Sequence, residues 1–238
     1  MLLRFAAENI MSFRDTVEFN TFPSSKSHSH DWHKVTCNHA TALRMSAIYG
    51  ANGAGKSNLL KCISLLRAMV MSEKLGDLQI PDDLYFKLDR DGHSRPSELA
   101  VEFFTDDRIF YYHVVFTGMT VRQEELSISG KTKDMPIFTR SNKGIHVSQE
   151  FFTVGSNEKS ADVFLDAIGR VIRPDMLVLS FFGRYYPEEL PVVKEAFDWF
   201  SRLQVVAPSM TAEALPYFLE KDPDFAALVN EHHTVKSG

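Results

Sequence analysis

Apolar and polar residues alternate at the start of the chain in a pattern that is typical of β-strands. Residues 2 to 7 and 15 to 21 follow this period of two, and Ser12 to Asp15 can form the turn between them. Residues 23 to 42 are mostly polar and show no period, which predicts a loop. The run LRMSAIYG, residues 43 to 50, is apolar enough to predict a buried strand.

The pattern then changes to the spacing of an amphipathic helix. Within residues 55 to 73, apolar side chains stand at positions 59, 60, 63, 66, 69 and 70. Such positions share one face of a helix with 3.6 residues per turn. The sequence therefore predicts a helix over residues 55 to 73.

Three more strand-like runs follow, rich in phenylalanine and tyrosine. They cover residues 97–106, 108–118 and 120–129, with short turns at Asp106–Asp107 and at Gly118. Short polar turns between such runs predict an antiparallel meander, and the aromatic content indicates that one face of this sheet is covered.

The rest of the chain is predicted to be mainly helical. Residues 130 to 160 are polar with short β-like pieces. Helical patterns cover residues 161–172, 188–203 and 211–220, and a short strand, LQVVAP, stands between the last two.

Composition and charge narrow the class of protein. The chain has 238 residues and a formal net charge of -5, so its total charge gives no case for binding nucleic acid. The two cysteines, Cys37 and Cys62, are too few for a disulfide scaffold and predict reduced thiols. The N-terminus lacks the pattern of a signal peptide, and no apolar run approaches the roughly 18 residues of a membrane helix, so we expect a cytoplasmic protein without membrane contact.

The segment between the predicted strand and the predicted helix matches the phosphate-loop pattern G-x-x-x-x-G-K-[ST]. Its glycines allow the backbone to approach phosphate oxygens, and its amides can point inward as an anion-binding nest. The positive end of the helix faces the same phosphates. Lys56 is expected to reach the β- and γ-phosphates of ATP, and Ser57 to bind Mg²⁺. The predicted nucleotide-binding residues are Gly50, Ala51, Asn52, Gly53, Ala54, Gly55, Lys56, Ser57 and Asn58, with Lys56 as the catalytic residue and Ser57 as the metal ligand.

These segments together resemble a known family. LLRFAAENIMSFRD, followed by SAIYGANGAGKSNLLKCI, is similar to the start of an ABC-type ATPase head. Heads of this kind occur in AAA-labelled ATP-binding proteins related to RecF, the SMC proteins and the overcoming-lysogenization-defect nucleases. Glu8 to Phe13 correspond to their ENF-S-F motif, with Ile10 where an aromatic residue is usual. Asn58 also matches the family pattern.

The resemblance implies an α/β fold of the P-loop NTPase class. It implies an ABC-ATPase-like head with an inserted antiparallel β-subdomain and a helical subdomain. On this basis we expect an ATP-binding lobe in residues 1–95, a β-subdomain in 96–155 and a helical subdomain in 156–238. The sequence looks like the N-terminal half of such a head.

The family also implies a reaction and partners. Two heads close over ATP and Mg²⁺, and each nucleotide meets the phosphate loop of one protomer and the signature motif of the other. The expected partners are a second copy of the head, a nuclease or other effector, and DNA, in DNA repair or anti-phage defence. Two alternatives stay open: a scaffold that binds ATP without hydrolysing it, and a P-loop kinase for a small molecule.

Two elements that hydrolysis requires are not recognisable in the sequence. Asp106 and Asp107, after LAVEFFT, come nearest to the acidic pair that activates water, but they fit a hairpin turn better. Asp89 in YFKLDRD is a weaker candidate and resembles a solvated loop residue. LSISGK, from residue 126, lacks the helix that should follow a signature motif, and Ser160 in VGSNEKSADVF is more simply a helix cap.

Other candidates have simpler structural explanations. Five potential zinc ligands share one loop, but their spacing matches no standard site: His28, His30, His33, Cys37 and His39. Arg14 could approach nucleotide or DNA, or could be a solvated turn residue. RVIRPD, from residue 170, and GRYYPEE, from residue 183, could contact nucleic acid, but helix ends with packed tyrosines are the simpler interpretation. Cys62 is interpreted as a packing residue.

Overall fold

A computed structural model describes residues 1–25, 31–78, 84–105, 107–153, 167–206 and 220. The chain forms two compact units, Met1–Leu203 and Gln204–Gly238. All of the helices and strands given below belong to the first unit. Among the described residues, no helix is both long enough and apolar enough to cross a membrane.

The strands form one large antiparallel sheet and one small hairpin. The sheet has seven strands in the order β2-β1-β5-β6-β7-β8-β9, and β3 pairs with β4 in the hairpin. The strands are β1 Leu2–Glu8, β2 Val17–Asn20, β3 Lys34–Cys37, β4 Ala40–Leu43, β5 Ser97–Thr105, β6 Arg108–Thr117, β7 Thr120–Ile128, β8 Met135–Ser141 and β9 Gly144–Val147. The α-helices are α1 Lys56–Met71, α2 Val178–Tyr185 and α3 Pro191–Arg202, and short 3₁₀ turns cover Asp31–His33, Leu75–Asp77 and Gln149–Phe151.

The most regular sequence patterns correspond to observed elements. The opening strand pair, the helix after the phosphate loop and the three-stranded meander are confirmed as β1–β2, α1 and β5–β7. Along β5 the burial alternates without a break, which is the period of two that its sequence predicts. The helix predicted at 188–203 is confirmed as α3, and residues 167–171 of the helix predicted at 161–172 are helical.

Helix α3 covers one face of the sheet through aromatic side chains. The rings of Phe103 on β5 and Trp199 on α3 stack with their centroids 4.1 Å apart. Phe103 also stacks on Phe110 of β6, and Phe200 meets Phe103 and Tyr112 edge to face. These large buried rings account for the aromatic content of the meander.

Helices α2 and α3 approach closely at a glycine. A Cβ atom on Gly183 would lie 2.5 Å from both Cβ and Cγ of Phe197. Because Cβ of Phe197 is fixed to its helix backbone, we expect Gly183→Ala to lower the free energy of unfolding by about 1–3 kcal/mol. Urea denaturation would measure this. Gly169→Ala is a suitable control, because nothing lies within 4 Å of the added carbon; equal losses in the two variants would contradict the packing explanation.

A buried carboxylate on the sheet caps helix α2. Glu124 on β7 accepts hydrogen bonds from the Val178 N–H, at 2.7 Å, and from the Leu179 N–H, at 2.9 Å. The hydroxyl of Tyr112 donates a third bond, at 2.9 Å. Burial raises the pKa of Glu124, while these donors and the charge of Arg140 act in the opposite direction. Glu124 therefore satisfies two first-turn amides that have no partner within the helix.

Two predictions for residues 23–50 are wrong. Residues 34–42 of the predicted loop lie in the β3–β4 hairpin, whose Cys37 and Ala42 pack in a small core with Leu3 and Ile109. The predicted strand at 43–50 is not one, since only Leu43 belongs to a strand, β4. Met45 and Tyr49 are 70% and 90% exposed. An apolar strand needs neighbours that cover it, and within the described residues no strand pairs with residues 44–50.

The C-terminal predictions are only partly tested. Helix α2 was not predicted: it has eight residues, six of them buried, and is shorter than the window of about 11–18 residues over which a helical period is counted. Residues 203–206 of the predicted strand LQVVAP are not in a strand. Of the helix predicted at 211–220, only Glu220 is among the described residues, and it is helical.

The predicted domain boundaries at 95/96 and 155/156 both fall within the unit Met1–Leu203. Strand β5 pairs with β1 over the register Phe5↔Val101 and Ala7↔Leu99. The meander thus continues the sheet of the opening strands, and the three-part division stays a prediction.

Candidate phosphate-binding site

The phosphate loop ends where helix α1 begins, and glycines make the change of direction possible. Gly55 is the N-cap of the helix with φ 88°, and Gly53 has φ 83°. Residues with a side chain rarely adopt this left-handed region. Two glycines of the loop pattern, Gly53 and Gly55, therefore have backbone angles that favour glycine.

The side chain of Lys56 folds back over the loop. Its ammonium donates hydrogen bonds of 2.7 Å to the carbonyl oxygens of Gly50 and Ala51. A lysine ammonium has three donors, so it can bridge both carbonyls and still face a further acceptor. A positive charge is thus held at the loop.

The N-terminus of α1 is suited to an anion. Its first amides have no partner within the helix, and no side chain caps it at Gly55. The hydroxyl-bearing residue Ser57 lies in this first turn and is exposed. Uncapped amides, a helix dipole, an ammonium and a serine together fit a phosphate chain carrying Mg²⁺.

The turn after β1 packs directly against this loop. A Cβ atom on Gly55 would lie 2.9 Å from Cε1 of Phe13 and 3.2 Å from Oγ of Ser12. The Asn58 side-chain amide donates to Oγ of Ser12 at 2.9 Å. Ser12 and Asn58 are 46 residues apart in the chain, so spacing alone could not reveal that the ENIMSF motif borders the phosphate loop.

Asn9 in the same motif is a buried residue that holds a distant segment through hydrogen bonds, a role that the sequence did not reveal. It is fully buried, and its amide nitrogen donates to the carbonyl oxygens of Gly92, Arg95 and Pro96. The segment from 84 to 96 is thereby fixed to the end of β1. The match to the family motif was the available signal, but it does not identify the bonding partner.

Asp89 is not the solvated residue that its sequence suggests. Its carboxylate lies 3.3 Å from the guanidinium nitrogens of both Arg14 and Arg95, and 15% of the side chain is exposed. A backbone hydrogen bond from Asp91 and the two arginine charges lower the pKa of Asp89. For Arg14, the structure shows an ion pair that joins the turn after β1 to Asp89 of the segment before β5.

Asp107 is far from the phosphate loop, and Asp106 lies outside the described residues. Thr105 pairs with Arg108, which confirms the predicted hairpin. The hairpin end is at the Met1 end of β1, because the Phe104 amide donates to the Met1 carbonyl, whereas Gly55 lies beyond the other end of the strand. Seven residues of β-strand span about 20 Å, so Asp107 cannot activate water at Lys56.

The signature-like segment LSISGK provides no second half of the site. Leu126 to Ile128 belong to β7, and the amide of Gly130 donates to the Asp134 carboxylate in the β7–β8 connection. This agrees with the rejection of LSISGK. The segment VGSNEKSADVF lies outside the described residues.

No group of metal-ligating side chains occurs among the described residues. Cys37 is buried, with its sulfur 3.9 Å from that of Met1, and His33 stacks on Trp32. His28 and His30 lie outside the described residues. Cys62 is a packing residue as predicted: burial raises its pKa to about 12, and its sulfur lies 3.8 Å from that of Met11.

The basic–aromatic segments have structural roles. Arg184 donates to the carbonyl of Met71 at the end of α1, and its guanidinium lies 5.3 Å from the ring centre of Phe197. The hydroxyl of Tyr185 donates to Glu73 at 2.6 Å. In the other segment, Arg173 pairs with Asp175. These contacts support the helix-end interpretation.

Comparison with known proteins identifies a family for this site. A comparison with curated proteins gave no match. A family model described as "AAA domain, putative AbiEii toxin, Type IV TA system" matches residues 45–171, which include the phosphate loop and more than half of the chain. This match supports a nucleotide-binding ATPase domain of the P-loop NTPase α/β fold, in which ATP generally binds with Mg²⁺. The chain belongs to this AAA family.

Proposed function

We propose that the chain is an ABC-type ATPase head that binds MgATP and dimerises over the nucleotide. Such a head would be the motor or sensor of a DNA repair or anti-phage defence complex, with an effector such as a nuclease and DNA as further partners. The observation that carries the proposal is the uncapped N-terminus of α1 beside an ammonium that is already held at the phosphate loop. This arrangement lies inside the part of the chain that the AAA family model matches.

The backbone amides, Lys56 and Ser57 would each bind a different part of MgATP. The backbone amides at the start of α1 would bind phosphate oxygens. Lys56 would turn from the carbonyls of Gly50 and Ala51 towards the β- and γ-phosphates, because phosphate is a stronger acceptor for an ammonium than a neutral carbonyl. Ser57 would provide a hydroxyl ligand to Mg²⁺, and the metal would neutralise charge on the phosphates.

The segment before the phosphate loop supports the proposed dimer, because it exposes apolar side chains that a second head could cover. Met45, Ile48 and Tyr49 are exposed although the run is as apolar as a buried strand. Exposed apolar surface of this kind is typical of interaction sites. A second head packed here would cover this segment and would lie beside the nucleotide.

A non-hydrolysing scaffold is the second candidate function. It is favoured by the position of Asp107, which belongs to the nearest sequence match to an acidic pair and lies about 20 Å from the loop, judged from the length of β1. ATP would then order an assembly without being consumed.

Three measurements on the purified chain test both candidates. Calorimetry with ATP and Mg²⁺ reports binding, phosphate release reports turnover, and light scattering reports dimerisation. Binding with release and dimerisation supports the head, and binding without release supports the scaffold. If ATP does not bind at millimolar concentration, both are overturned.

Ser57→Ala should show whether Ser57 contributes to affinity through Mg²⁺ or through the nucleotide itself. We expect affinity for MgATP to fall about three- to tenfold, with little change for ATP in excess EDTA, because only the metal complex uses the hydroxyl. Ser64→Ala is a matched control, since Ser64 is exposed further along α1. Equal losses with and without Mg²⁺ would refute the assignment of Ser57 as the metal ligand.

A further inference from the structure

The turn that borders the phosphate loop is also bound to the segment between α1 and β5. We propose that this opening turn, residues 9–14, is a positioning element: it holds the phosphate loop in its binding shape and makes that shape depend on the connecting segment, residues 84–96. The consequence for ATP rests on the proposed function, whereas the mechanical link can be tested without nucleotide.

On the loop side, the turn contacts the residue where the helix begins. Phe13 is 8% exposed and packs against Gly55, whose Cα leaves no room for a side chain. Ser12 accepts the hydrogen bond from Asn58 in the first turn of α1. A displacement of the turn would therefore remove both the packing contact of Phe13 with Gly55 and the hydrogen-bond acceptor of Asn58.

On the other side, the turn is joined to the connecting segment by backbone and side-chain bonds. The Met11 amide donates to the Leu84 carbonyl at 2.6 Å. Asn9 bonds Gly92, Arg95 and Pro96 through its amide nitrogen, and its oxygen accepts from the Phe86 amide at 3.4 Å. Both ends of one buried side chain are thus used to hold the connecting segment.

Ion pairs also join the opening turn to the connecting segment. Asp89 of the connecting segment lies between Arg14 of the turn and Arg95, and Arg95 also pairs with Glu8 at the end of β1, at 3.1 Å. Asp89 is the one acidic partner of Arg14 among the described ion pairs. Neutralising Asp89 would loosen the turn from the connecting segment without touching the phosphate loop.

The backbone conformation of the opening turn explains why weaker contacts to residues 84–96 would affect the phosphate loop. Asn9 and Met11 have positive φ, 46° and 52°, which residues with side chains adopt at a cost. Such conformations persist where surrounding contacts hold them. When the contacts to residues 84–96 are weakened, the turn can relax, and Phe13 and Ser12 would then move away from Gly55 and Asn58.

The test compares Asp89→Asn with Asp91→Asn, which makes the same charge change two residues away on an exposed position. Backbone amide hydrogen exchange is measured without nucleotide. We expect exchange at Ala54 and Leu59, whose amides are bonded to the carbonyls of Ala51 and Gly55, to be about two- to tenfold faster in Asp89→Asn only, with exchange in β5 and β6 unchanged. Unchanged exchange at Ala54 and Leu59 in Asp89→Asn, or equal acceleration in both variants, would overturn the proposal.

Nucleotide affinity is the second readout, and Asn58→Ala is the second variant. Where the wild type binds MgATP, Asp89→Asn and Asn58→Ala should each weaken binding by a similar two- to tenfold factor, while Asp91→Asn binds normally. A wild type that does not bind ATP refutes the proposed function, and the exchange result still decides the positioning role. Should Asp89→Asn not fold, faster exchange in Asn58→Ala supports the link and unchanged exchange refutes it.

Discussion

Lys56→Ala should weaken MgATP binding roughly 10- to 100-fold, because it removes a charge-assisted hydrogen bond to the phosphates. The ammonium bonds to the carbonyls of Gly50 and Ala51. Since it would give up these bonds to reach the phosphates, the loss should be smaller than that of an unopposed ammonium–phosphate contact. Calorimetric titration with MgATP would measure the change, and any phosphate release should fall with it.

Lys61→Ala is the matched control for this measurement. Lys61 is exposed on the same helix, five residues beyond Lys56, and carries the same charge. Its removal should leave MgATP affinity within about twofold, because solvent and salt screen an exposed charge. If Lys56→Ala and the control bind MgATP equally well, the phosphate loop is not the nucleotide site and the proposed function fails.

The parts of the fold that could be predicted depend on local signals. The alternation along β5 and the apolar stripe of α1 reflect one covered face, which a period of two or 3.6 reveals directly. The phosphate loop was recognisable for the same reason: its glycines and lysine act within eight consecutive residues. Where an element is only two turns long, as α2 is, too few residues repeat for a period to be counted, and the prediction fails.

Residues 43–50 show a second reason why a prediction from sequence fails. Their composition was interpreted correctly as apolar, but burial depends on a neighbour that the segment itself does not encode. In the candidate site, the contact of Phe13 with Gly55 and the bonds of Asn9 to residues 92–96 join distant parts of the chain. Such contacts follow from the tertiary arrangement, so a motif can mark Asn9 or Ser12 without indicating what they bind.

Glu124→Leu should be the most destabilising single change considered for the sheet–helix junction. It leaves the amides of Val178 and Leu179 and the hydroxyl of Tyr112 buried without their acceptor. At about 1–3 kcal/mol for each buried donor that loses its partner, offset in part by easier burial of leucine, the free energy of unfolding should fall by about 3–5 kcal/mol. Glu124→Gln keeps one acceptor oxygen and should cost less. Urea denaturation monitored by tryptophan fluorescence would measure both.

The dependence on pH distinguishes the loss of this carboxyl group from a simple packing defect. Since burial raises the pKa of Glu124 above its ordinary value near 4.5, the folded chain holds that proton more tightly than the unfolded chain does. Its contribution to stability is therefore greatest below pH 4.5 and declines as pH rises through the raised pKa. Glu124→Leu should lack this decline, whereas Glu125→Leu, a change at the next and partly exposed position, should retain it and cost far less. If Glu124→Leu were as stable as Glu125→Leu, the carboxylate would not be what holds the start of α2 on the sheet.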